Sequence, residues 1–269
     1  MAENQTAKSA AAGPAGTLTG NRGGALIINA DDWGRDRKTT DRILECLLKG
    51  SISSVSAMVF MEDSERGAKL AGEHGIDAGL HLNLTTPFSA GNVPLRLREN
   101  QQRLSRYLLR RRFSKVFYHP GLVACFRYVV EAQYDEYQRL YGTPAARIDG
   151  HHHMHLASNV VFGGLLRPGA VIRRNFSFQA NEKSVWNRFY RRRIDAVLAR
   201  RHTITDYFFS LVPLNSPDRL QRICSLASEH TVEVETHPVE PAEYRFLVER
   251  EILRWTGGVP PAPRYGVSR

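Results

Sequence analysis

Residues 25–32, ALIINADD, form a short apolar run that ends abruptly in two adjacent carboxylates, Asp31 and Asp32. A near-continuous hydrophobic segment of this length suits a strand of a parallel sheet, buried on both faces, whose C-terminal end reaches a polar site. A helical period follows over about Lys38–Lys49, with Ile43, Leu44, Leu47 and Leu48 on one stripe and Gly50 placed to end it. SSVSAMVF (Ser53–Phe60) and IDAGLHLNL (Ile76–Leu84) read as further strands, separated by a helix over about Ser64–His74 that stops near Gly75. Strands alternating with helices of this length imply parallel βαβ units. Residues 96–141 are mostly helical and strongly basic, and Gly142, Thr143 and Pro144 break them. Strand patterns then return at AARIDGHHHMHL (Ala145–Leu156), AVIRRNFSF (Ala170–Phe178), TITDYFFSL (Thr203–Leu211) and TVEVETHP (Thr231–Pro238), with a helix over about Pro217–His230.

The chain has 269 residues, 42% of them hydrophobic, which suits one domain with a substantial core. The expected organisation is a flexible, Ala/Gly/Thr/Ser-rich segment over 1–23 followed by one domain over 24–269. The three cysteines, Cys46, Cys125 and Cys224, are scattered and form no CxxC pair, which excludes a disulfide framework and a cysteine metal site. The N-terminal segment has no apolar core of a secretory signal, and no apolar run reaches the roughly 18 residues of a membrane span. A cytoplasmic location is the expectation. The net charge of +10 is the unusual bulk property, and it is compatible with an acidic partner, an anionic surface or simple solubility.

Four polar clusters lie at the C-terminal ends of the expected strands: Asp31–Asp32, His81, His151–His155 and His237. In parallel α/β folds those ends converge on the face that carries the active site. Adjacent carboxylates after a buried strand repel unless a cation or proton resolves them, so a metal would hold one and leave the other as a base. A helix N-cap beside an exposed acid is the ordinary alternative. His81 alternates with Leu80 and Leu82, which fits a ligand or a hydrogen-bonded core histidine. The run Asp149-Gly150-His151-His152-His153-Met154-His155 packs four imidazoles into five positions, and neutral imidazoles are good ligands for divalent metals. If extended, it sets Asp149, His151, His153 and His155 on one face. Glu233 and Glu235 alternate with Val232 and Val234, so they share a side with His237, and one of them is expected to orient its ring. One aspartate and two histidines make an open site for Mg²⁺, Mn²⁺, Fe²⁺ or Zn²⁺, with softness alone leaning to Zn²⁺.

Taken together, LIINADDWG (Leu26–Gly34), GSISSVSAMV (Gly50–Val59), AGLHLNLT (Ala78–Thr85), IDGHHHMHL (Ile148–Leu156) and VEVETHP (Val232–Pro238) resemble, in order and separation, the YdjC/ChbG family of carbohydrate deacetylases. The resemblance implies an α/β fold, a distorted (β/α) TIM-like barrel in a single domain. It also implies metal-dependent removal of acetyl groups from N-acetylated sugars, oligosaccharide or lipid-linked. It assigns Asp32, His81 and His151 as metal ligands, usually for one Mg²⁺, with Zn²⁺ or Mn²⁺ as alternatives. Asp31 takes the place of the catalytic base and His237 that of the general acid. Partners implied are an N-acetylated sugar and a second copy of the chain in a homodimer. Thr236 stands where several relatives carry Cys or another small residue, and the central basic stretch matches no family motif.

Two basic runs, RLRENQQRLSRYLLRRRFSK (Arg96–Lys115) and RFYRRR (Arg188–Arg193), suggest rival readings. Runs with interleaved aromatics can track nucleic-acid phosphates, although most such runs are solvated helix faces and nucleic acid is not the expected partner. Peripheral contact with an anionic membrane is compatible with a deacetylase. A metal-dependent phosphoesterase would use the same Asp/His cluster but generally needs more carboxylates at strand ends.

Overall fold

The computed structural model describes residues 24–111, 113–178, 182–256 and 261–262; the lead-in expected over 1–23 lies outside them. In chain order come β1 (Ala25–Trp33), α1 (Arg37–Leu48), β2 (Ser54–Ala57), α2 (Ser64–His74), β3 (Ala78–Leu82), α3 (Leu95–Arg110), α4 (Val123–Tyr141) and β4 (Arg147–Gly150). They are followed by α5 (Ser158–Val161), β5 (Val171–Ile172), α6 (Val185–Leu198), β6 (Tyr207–Ser210), α7 (Pro217–Leu226), β7 (Thr231–Thr236), α8 (Pro241–Val248) and α9 (Ile252–Trp255). All strand pairs are parallel, in the order β5-β4-β3-β2-β1-β7-β6. The sheet curls so that its two edge strands approach each other. Among the described residues that seam is joined by one bridge, Val171 to Thr203, with Ile172 N donating to Thr203 O at 2.8 Å and Ser177 N donating to Phe208 O at 2.8 Å. The distorted single-domain barrel expected from the sequence is the observed architecture. No described helix is long and apolar enough to cross a membrane.

The alternation of each strand decides what lies inside and what lies outside the curl. Ile28, Ala30, Val55, Ala57, Leu80, Leu82, Ile148, Val232 and Val234 join the apolar core under the helices. Their neighbours Asn29, Asp31, Ser54, Ser56, His81, Asp149, Glu233 and Glu235 are also buried, but they are polar. The inner positions of the barrel therefore form a hydrogen-bonded polar interior. Most buried polar groups there are hydrogen-bonded, which fixes the interior more tightly than apolar contact would.

The local signals behave as their chemistry dictates. Asp36 caps α1 by accepting from Thr39 N at 2.8 Å, and Gly75 ends α2 in the left-handed conformation at φ 61°. Leu48, expected on the apolar stripe of α1, points to solvent, while Ile43 and Cys46 are buried. The strand expected over Ala170–Phe178 is shorter, keeping regular pairing only at Val171 and Ile172. The extended reading of the histidine run is also corrected. β4 ends at Gly150, and His151–Leu156 turns back on itself through a kink, with His152 at φ 54° and His153 at φ 55° in the left-handed region. The alternating faces do not exist, and the four imidazoles point to four different partners.

Gly150 is required at this turn: a Cβ there would lie 2.9 Å from His155 N and 3.1 Å from Leu82 O, both backbone atoms. Gly150→Ala should therefore destabilise the fold by about 1–3 kcal/mol, as overpacking does, read as a lowered midpoint in urea denaturation.

Candidate functional site

At the end of β1 the chain does what a regular strand cannot. Ala30 pairs with Val55 and Trp33 with Ala57, so Asp31 and Asp32 together oppose Ser56 alone. This is a β-bulge, and Asp32 sits in it at φ 69°, a left-handed conformation that is costly for a residue with a side chain. The bulge cancels the alternation that would send the two carboxylates to opposite faces. Both enter the same buried cluster.

Asp32 Oδ2 accepts from Arg35 at 2.7 Å. Its other oxygen, Oδ1, lies 3.0 Å from His151 Nδ1 and 3.4 Å from His81 Nε2. Asp32 Oδ1 and His81 Nε2 are nevertheless buried without a hydrogen-bond partner. One donor atom from each of Asp32, His81 and His151 lies within 4.8 Å of the others. Buried polar atoms are rarely left unpaired, and a carboxylate with two imidazoles turned towards one another is a donor set suited to a divalent cation. The residues thus fit a metal. A second grouping, Asp31, His81 and Asp149, fits less well, because both Asp31 oxygens accept from Arg173 and both Asp149 oxygens are also engaged.

The electrostatics agree. Burial works to raise the Asp32 pKa, but the neighbouring His151 and His81 outweigh it and hold the carboxyl well below its usual range. Burial opposes protonation of His81, yet the carboxylates of Asp31 and Asp149 push it up to about 10. The pocket favours positive charge. Asp149 Oδ1 is 2.7 Å from His81 Nδ1 and so turns Nε2 towards Asp32. A carboxylate behind a ligating histidine fixes its tautomer and raises its basicity.

Arg173, which the sequence reading passed over, organises the rest. Its guanidinium donates to both oxygens of Asp31 at 2.7 Å and to Glu233 at 2.7 Å. It also lies 2.8 Å from Asp149 and 3.5 Å from Glu235. The glutamates expected to orient His237 face Arg173 instead. His237 follows β7, its backbone N donates to Glu243 at 2.8 Å, and its Nε2 is 3.9 Å from Asp31 Oδ2. The remaining imidazoles take other partners: His152 with Thr85 at 3.0 Å, His155 with Arg173 O at 2.9 Å, and His153 3.7 Å from Glu235. All five residues expected at the site, Asp31, Asp32, His81, His151 and His237, meet there. The one sequence signal for Arg173 is its place, two residues after Val171 and directly after buried Ile172, which continues the inward phase of β5. Trp33 is buried and donates to Gly67 O at 3.0 Å, so it is a core residue.

A family model described as YdjC-like protein matches residues 25–254. The mouse carbohydrate deacetylase is 31% identical over 140 residues, 50% of this chain and 44% of its own length. The chitooligosaccharide deacetylase of Proteus mirabilis (strain HI4320) is 31% identical over 136 residues, 50% of this chain and 51% of its own. That of Serratia marcescens is 30% identical over 140 residues, 50% and 52%. The matches thus span about half the length of these curated relatives. A crystal structure from Enterococcus faecalis V583, of a candidate cellobiose-phosphate cleavage protein, superposes with a TM-score of 0.62 at 18% identity over 90% of this chain and 97% of its own. At that identity it shares the fold.

Two outcomes follow from the geometry. Asp149→Asn should weaken divalent-metal binding about 10–100-fold by releasing His81, measured by titration calorimetry with Zn²⁺, Mn²⁺ and Mg²⁺ in turn. Arg173→Met should cost about 3–5 kcal/mol of stability, because it strands buried carboxylates, and a denaturation midpoint close to wild type would refute that role.

Proposed function

The chain belongs to the YdjC-like family, and from that premise we propose that it is a metal-dependent hydrolase that removes acetyl groups from N-acetylated sugars. The observation that carries this reading is the convergence of buried, unpartnered Asp32 Oδ1 and His81 Nε2 with His151, beside a second carboxylate and a more exposed histidine. The named activities of the deacetylase relatives point the same way.

Asp32, His81 and His151 would hold the cation. Bound there, it supplies a Lewis acid that makes an amide carbonyl more electrophilic and a water more acidic. Magnesium is the family expectation, and the two imidazoles equally suit Zn²⁺ or Mn²⁺.

The protein's own groups divide the proton transfers by depth. The Asp31 side chain is 4% exposed and that of His237 34% exposed, with 3.9 Å between Oδ2 and Nε2. A group lying between them is within reach of both. Asp31, held in one orientation by the Arg173 fork, takes the proton of the attacking water at Oδ2. His237 donates from Nε2 to the departing nitrogen. The nitrogen carries the bulky sugar and so belongs on the open side, next to His237, while the small acetyl group fits the closed side. Acetate and an amino sugar are the products.

Asp31→Asn should retain metal but lose about 10²–10⁴-fold in turnover, the usual share of a general base. Acetate release from N-acetylated chito-oligosaccharides, assayed with and without chelator, checks both roles. Turnover of Asp31→Asn near wild type, or full activity of metal-stripped protein, would exclude the scheme.

A further inference from the structure

Positive charge is concentrated in two stretches of the chain. Residues 96–115 hold eight cations against one glutamate, and residues 185–201 hold six arginines against one aspartate. These stretches carry +12 between them, so the remainder of the chain is −2. They also meet in space. Phe113 and Lys115 from one, and Trp186, Tyr190 and Arg191 from the other, line a shared cavity of about 560 Å³. Lys115, Arg174 and Arg191 contribute to its wall, and no carboxylate does among the described residues.

Around this basic cavity the surface is apolar. Phe113, Phe117, Val185 and Trp186 are 61–81% exposed. On α6 the buried side runs through Ile194 and Leu198, whereas Val185, Trp186 and Phe189 lie together on the outer side. Singly exposed apolar residues are ordinary, but here Phe113 and Trp186, from two basic segments, line one cavity, and Phe189 packs on Trp186 among arginines, which marks an interaction site. Aromatic rings combined with basic side chains match the headgroup layer of an anionic bilayer, where the rings enter the acyl boundary and the cations meet the lipid charge. We propose that this face docks the protein on an anionic phospholipid surface. The aliphatic part of the cavity wall, Val116, Leu156 and Ile194, suits an apolar chain and not a nucleobase. Trp186 and Phe189 meet edge to face at 87°, not as the parallel platforms on which bases stack. His153 lines the cavity and also lies 3.7 Å from Glu235, so the cavity reaches the edge of the polar interior. The proposal goes beyond the deacetylase reading and does not depend on it.

Vesicle flotation of the full chain tests it, with phosphatidylcholine alone and with about one-third phosphatidylglycerol. The expected result is flotation with the anionic vesicles only, weakened by salt. Trp186→Ala/Phe189→Ala should lower the apparent affinity about tenfold, with thermal unfolding unchanged. Arg192→Glu/Arg193→Glu provides a second variant, expected to abolish the preference for anionic lipid. Three results overturn the proposal: no flotation with anionic vesicles at low salt, flotation indifferent to the aromatic pair, or a lipid-free dimer that the aromatic variant dissociates. Oligonucleotide binding through the same residues in place of vesicle binding also overturns it. A protein that floats but releases no acetate refutes the deacetylase reading alone.

Discussion

Four carboxylates, Asp31, Asp149, Glu233 and Glu235, enter the barrel interior, and Arg173 lies within 2.7–3.5 Å of every one of them. Without that guanidinium the interior would hold acids in a low-dielectric space, where like charges are costly. Burial, and then the charge of Asp31, push Glu235 well above the usual carboxylate range, even against Arg173. The balance is thus tight. Arg173 connects β1, β4, β5 and β7 through charge, so the geometry of the cluster and the closure of the sheet share one cause.

The bulge in β1 has a comparable role at short range. Asp31 turns to Arg173 and Asp32 to the imidazoles because one residue adopts a left-handed conformation. The cost is local, and the surrounding hydrogen bonds over-determine it. Arg35, His81 and His151 all converge on Asp32. Backbone strain here buys the proximity of two unlike carboxylates, one held in place by a guanidinium and one with an oxygen left open.

Much of this was legible in the chain itself. Apolar runs ending in charge placed β1, β3, β4 and β7 and put Asp31, Asp32, His81, His151 and His237 at one end of the sheet. Period two in VEVET and GLHLNL separated the core side from the inner side correctly. The histidine run was misread as extended because composition carries no trace of the turn after Gly150. That turn depends on Leu82 O and His155 N closing over a residue without a side chain. Arg173 was missed because its neighbour Arg174 and the many surface arginines make a buried arginine look ordinary. Only the carboxylates gathered from three other strands reveal it. Period two alone pairs a glutamate with its neighbour His237, whereas the actual partner, Arg173, directly follows β5 and is remote in sequence.

The seam between β5 and β6 adds a mechanical consequence. Elsewhere neighbouring strands are tied by parallel ladders, but among the described residues this edge relies on one bridge and a few backbone bonds. Local opening follows the fewest protected amides, so transient parting of the barrel begins at this join, where Arg174, Asn175 and Phe176 also form part of the cavity wall. Breathing there widens the cavity and loosens the hold of Arg173 on Asp31 and Asp149, so the join and the cluster move together. Among the amides of the sheet, those at this join are the least protected and those of the central strands the most.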